Sequence, residues 1–145
     1  METTDFFRGV ELFKHLSDTQ LERLAGLARE LAFSEGIIIR DNDDADGLFI
    51  VKSGMAKVTK SSADTLGVEA VLALLRPGNS FGEIGLIDGL PRSANVAAMG
   101  PMVCYFLPRD DFMLALRENA EIALGMLPAL AAMVRSSDQW VAQLI

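Results

Sequence analysis

Residues 81 to 96 read Phe-Gly-Glu-Ile-Gly-Leu-Ile-Asp-Gly-Leu-Pro-Arg-Ser-Ala-Asn-Val, and their order suits the capture of a small anion. Gly82, lacking a Cβ, lets backbone approach backbone or ligand. Glu83 to Ile87 can form one helical turn, whose free amides and partial positive charge favour an anion. Arg92 follows a turn at Asp88-Gly89-Leu90-Pro91 and so folds back toward that helix start. Its planar fork matches two oxygens of one phosphate. Glu83 has the wrong sign for a phosphate but suits a sugar hydroxyl, whose hydrogen bond it can accept. Together these groups fit a phosphate ester with a sugar attached.

Elements on either side must position this segment. Ser17 with Gln20 three places on forms a capping box, and Leu21, Leu24, Leu27, Ala28 and Leu31 then recur at helical spacing. Residues 1–32 are therefore expected to be helical. From Phe33 to Leu107 short β-rich runs alternate with turns at Glu35-Gly36, Asp41 to Gly47, Ser53-Gly54, Ser61 to Gly67, Pro77-Gly78 and Gly100-Pro101. That spacing predicts an antiparallel sandwich or jelly roll. Beyond Pro108 the pattern turns helical again: a short helix carries Phe112, Leu114, Ala115 and Leu116, and a longer one starts near Ala120. Pro128 lies near the start of the longer helix and is expected to kink it. Leu127, Leu130, Val134, Ser137, Val141 and Leu144 follow heptad spacing, which suits a second copy of the chain or the helix's own β-domain.

Bulk properties narrow the classes. The 145 residues make one domain with room for a core, and half of them are hydrophobic. No apolar run nears the ~20 residues that cross a bilayer, and Met1 is followed by acidic and polar residues, unlike a signal peptide. Cys104 is the single cysteine, so no internal disulfide framework exists and a cytoplasmic home is expected; its neighbours suit a buried strand. Thirteen basic against twenty acidic residues, a net charge of −7, argue against this chain binding nucleic acid by itself. The acidic run 41–47 fails as a calcium loop, because with Gly47 at the glycine position the closing Glu falls on Ser53. A metal-dependent jelly-roll enzyme needs several His ligands and the chain has only His15, expected on the N-terminal helical part as a surface or hydrogen-bonded His; Ser93 has no His partner for nucleophilic catalysis. No metal site and no enzyme are expected.

The 81–96 segment resembles the phosphate-binding cassette of cyclic nucleotide-binding domains: Phe-Gly-Glu, an aliphatic residue, Gly or Ala, Leu, a short turn, then Arg, a small residue, Ala, any residue and Val. The runs at 12–21, 36–40 and 48–54 are similar to the same family. Asn42 stands where the family has Gly, and Ala120 where it has Pro; Asn tolerates the left-handed backbone of such a turn. The resemblance implies a mainly β jelly-roll β-barrel over 33–107 with an N-terminal helix, and C-terminal hinge and lid or dimer helices over 108–145.

It further implies a set of ligand contacts. Phe81, Gly82, Glu83, Ile84, Arg92, Ser93 and Ala94 form the cassette's part of the site. Arg92 and the amides at Gly82 and Ala94 would hold the cyclic phosphate, Glu83 the ribose 2′-hydroxyl, and Ser93 the phosphate or base. Leu86 would meet the hinge helix through Phe112. Ser137, by alignment with catabolite-activator-type members, or Arg135, by analogy with channel-type members, would contact the base. Ser93, where cGMP-selective members often carry Thr, inclines the expectation to cAMP over cGMP. The function implied is a cyclic nucleotide sensor that moves its C-terminal helices on binding, as a homodimer joined through the last helix. The alternatives are a ligand-binding part of a larger transcription regulator or channel, and a dimerisation module without ligand.

Overall fold

The computed structural model describes residues 2–39, 46–60, 70–89 and 94–144, with the backbone alone from 137 onward. Three short helical elements open the chain: α1 (Glu2–Arg8), a 3-10 turn η1 (Glu11–Phe13) and α2 (Asp18–Ala25). The α2 start is the capping box read from the sequence, with the Ser17 hydroxyl accepting from the Gln20 amide and the Gln20 side chain accepting from the Ser17 amide. The helix stops at Ala25, earlier than the Leu periodicity implied. Residues Arg29–Phe33 form strand β1, and Leu31 pairs with Cys104. An interstrand ladder with full backbone pairing overrides a helical spacing that beyond Ala25 is carried by only three apolar positions, Leu27, Ala28 and Leu31.

Strands β2 (Gly36–Ile39), β3 (Gly47–Ser53), β4 (Ala56–Lys60), β5 (Ala70–Leu75), β6 (Ser80–Phe81), β7 (Asn95–Ala98) and β8 (Met102–Pro108) complete two antiparallel four-stranded sheets, ordered β1-β8-β3-β6 and β2-β7-β4-β5. The turns at Pro77-Gly78 and Gly100-Pro101 fall between strands as read from the sequence, while Glu35-Gly36 and Ser53-Gly54 straddle strand ends, Gly36 opening β2 and Ser53 closing β3; most of the turns at 41–47 and 61–67 lies outside the described residues.

Side-chain alternation in β3 explains the layering. Phe49 and Val51 point between the sheets, into a core with Ile39, Phe81, Val96, Met102 and Cys104. Leu48 and Ile50 point the other way, into a second core with Phe7, Phe13, Leu21, Leu24, Leu86, Phe112 and Ile122. The first sheet is thus covered by the second sheet on one side and by helices on the other, which is why β3 is buried from Gly47 to Val51.

The C-terminal part is α4 (Arg109–Glu118) and α5 (Ala120–Leu144), the latter unbroken through Pro128. Ala120 begins α5, where the sequence placed the start of the longer helix. The Asn119 side chain takes over the start signal by accepting from the Glu121 amide at 3.2 Å. Ile122, Met126 and Ala129 are buried at helical spacing, so one face of α5 packs on the chain's own core. The heptad stripe lies beside that face: Leu127 and Val134 are each 55% exposed, and Leu130 is partly buried against the helical core. Among the described residues no helix is long and apolar enough to cross a membrane.

Candidate functional site

The cassette begins where β6 ends. Phe81 is buried and stacks on Phe49 of β3, centroids 4.9 Å apart and planes 3° from parallel, so the strand leading into the site is pinned by an aromatic pair. Gly82 follows at φ 87°, ψ 2°, a left-handed conformation that a side chain would strain. It turns the chain into a third helix, α3 (Glu83–Asp88), which packs on β3. This is the helical turn read from the sequence, one residue longer.

Glu83 is the first residue of α3, half-buried, with its Oε2 atom buried. Ile84 is 57% exposed, while Leu86 is fully buried in the cluster that also holds Phe112. Gly89, at φ 72°, closes α3 with its amide donating to the Gly85 carbonyl at 2.9 Å. Ala94, half-buried, leads into β7. The structure therefore gathers Phe81, Gly82, Glu83 and Ile84 at one strand-to-helix junction. Arg92 and Ser93 lie outside the described residues. Arg135 is exposed on α5, and Ser137 is placed on that helix by its backbone.

Beside the cassette, a half-open apolar groove of about 140 Å³ runs between Ile87 of α3, Phe112, Met113 and Leu116 of α4, and Met126, Leu127 and Leu130 of α5. It puts α3, α4 and α5 side by side. Two features here were not drawn from the sequence. Arg109, the first residue of α4, donates from Nε to the Leu86 carbonyl at 3.1 Å. Its only sequence signal is a cation at a helix start, where the dipole disfavours one. Thr59 is a buried hydroxyl on β4, at a register shift against β5, a bulge that no residue type announces. Cys104, the buried strand residue expected, has its thiol pushed up to about 12 by burial, so it stays protonated at neutral pH. His15 is exposed, and no metal-capable cluster of His, Cys, Asp and Glu occurs among the described residues.

The fold is a mainly β roll interrupted by the short helix α3 and flanked by helices at both ends. Residues 34–119, well over half of the chain, match the family profile "Cyclic nucleotide-binding domain", and the chain belongs to that family. Over 122 residues it is 32% identical to cGMP-dependent protein kinase, isozyme 1, of Drosophila melanogaster, which covers 83% of this chain and 16% of the kinase. The regulatory domain of Toxoplasma gondii PKA, solved with cAMP, superposes with a TM-score of 0.72 at 29% identity over 79% of this chain and 43% of that one. Thermus thermophilus catabolite activator protein superposes with a TM-score of 0.79 at 27% identity, over 92% of this chain and 62% of that one. The chain spans between 16% and 34% of the length of the first five curated relatives it matches.

Proposed function

We propose that this chain senses a cyclic nucleotide, cAMP in preference to cGMP, and passes binding at the cassette to its C-terminal helices without catalysing a reaction. The observation that carries this reading is the left-handed Gly82, which turns β6 into α3 and sets the first amides of α3 next to a half-buried Glu83. Those amides and Arg92 hold the cyclic phosphate, with the Ala94 amide beside them, and Glu83 accepts from the 2′-hydroxyl. Ser93 supports the lean to cAMP. One hydroxyl is worth only ~1 kcal/mol net, so cGMP also binds. Competition titration should give cAMP the lower dissociation constant; a cGMP preference of tenfold or more would reverse the assignment.

The chain acts as a homodimer in the cytoplasm, joined through α5. Exposed Leu127 and Val134 support the seam, and the lone buried thiol of Cys104 suits a reducing compartment. By resemblance to catabolite-activator-type members Ser137 contacts the base, so Ser137→Ala should weaken binding modestly, and Leu127→Asp should give a monomer by light scattering. Leu127 is the better probe than Leu130, which also touches the chain's own core. If instead Arg135→Ala is the damaging change and the unmodified chain is already monomeric, the base is capped in the channel-like way and the seam is refuted. The short span of its relatives favours a second, compatible reading, in which the domain serves a longer regulator.

A further inference from the structure

We propose that Arg109 is a positioning residue, a polar latch that fastens the C-terminal end of the cassette helix to the first residue of the hinge helix. That such a latch transmits ligand binding rests on the nucleotide reading above; that it holds the two helices together does not.

Arg109 sits badly for its own helix. It is the first residue of α4, at the positive end of that dipole, and Asp110 and Asp111 already supply the acidic groups that suit the position. Its partner is on another element. Leu86 lies in the last turn of α3, where carbonyls lack intrahelical donors and the helix end is negative. Arg109 Nε–H donates to that carbonyl at 3.1 Å in a part-buried setting, so a cation serves the end of α3 that favours one.

Two further contacts fix the geometry. A Cβ built on Gly89 would stand 3.3 Å from Arg109 Nη2, so the guanidinium rests against the glycine that closes α3. The Arg109 main-chain N–H donates to the Asp46 carbonyl at 3.0 Å. One residue thus joins the approach to β3, the end of α3 and the start of α4, and α4 packs on α5. With its C-terminal end pinned, α3 cannot shift at Gly82 and Glu83 without pivoting on Leu86 or carrying α4 along.

The test is hydrogen exchange on wild type and on Arg109→Met, which keeps the length of the stem and deletes the donors and the charge. Without ligand, the Gly89 amide at the end of α3 should exchange about tenfold faster in the variant. With saturating cAMP, exchange in wild type should slow in both α3 and α4; in the variant it should slow in α3 and stay unchanged in α4. Equal Gly89 exchange in the two ligand-free proteins, or equal slowing of α4 by cAMP, overturns the latch. If cAMP and cGMP change nothing in wild type, the nucleotide reading fails, while the ligand-free comparison still decides the latch. Should Arg109→Met not fold, Arg109→Lys takes its place, with one point-like donor for the fork. It should shift the same amides in the same direction by less, and a wild-type pattern in it refutes the latch equally.

Discussion

Arg92→Ala should weaken cyclic nucleotide binding by at least ~30-fold. The cassette from Phe81 to Val96 contains no other basic residue, so a bound phosphate has no second side-chain cation there to turn to. Removing one partner of a buried, hydrogen-bonded charge pair costs ~2–5 kcal/mol. At ~1.4 kcal/mol per decade, the lower bound gives the ~30-fold loss. Arg92→Lys should recover only part of it, because a point charge replaces a fork that meets two oxygens at once. The check is a binding isotherm for each variant beside a thermal melt that shows it folded. A folded Arg92→Ala protein with an unchanged dissociation constant would remove Arg92 from the site.

The second large effect is on stability. Phe112 is fully buried, belongs to the core shared by α1, α2, β3, β8 and the C-terminal helices, and forms one wall of the groove beside Ile87. Phe112→Ala removes the largest α4 side chain from that core and leaves a cavity beside a groove that already exists. Such truncations cost about 3–5 kcal/mol, a large share of the ~5–15 kcal/mol that keeps a domain folded. Urea denaturation should show the unfolding free energy falling by that amount, through a lower midpoint at an unchanged slope. A loss under ~1 kcal/mol would mean that α4 is not held by its apolar face. Leu114→Ala is the internal control, since Leu114 is 51% exposed on the same helix and should cost little.

Much of this fold was legible because local signals and long-range pairing agree. The capping box at Ser17, the cassette turn from Glu83, the strand burial of Cys104 and the start of α5 at Ala120 each follow from residues within a few positions of one another. The end of α2 was not, because Leu31 fits a helical stripe as well as a strand, and only its ladder to Cys104 decides. The two-sided burial of β3 was likewise hidden: an apolar run such as Leu48-Phe49-Ile50-Val51 does not say which side each residue takes or what covers it. At the site, residue order marked the strand-to-helix turn at Gly82 and Glu83, because that turn is made by the backbone of those residues themselves. Arg109 escaped because its partner, Leu86, is a carbonyl 23 positions away, and any residue type can supply a carbonyl. The α5 stripe sits between the two cases. Heptad spacing marked Leu127 and Val134, but a buried face at Ile122, Met126 and Ala129 runs beside it on the same helix, so spacing alone could not separate the core side from the outward side.

The most direct test is calorimetric titration of the purified chain with cAMP and, separately, with cGMP. A cyclic nucleotide sensor should show saturable binding of one nucleotide per chain for both, with cAMP the tighter. A folded chain that gives no saturating heat with either nucleotide up to ~1 mM, an affinity of ~4 kcal/mol or less, would contradict it.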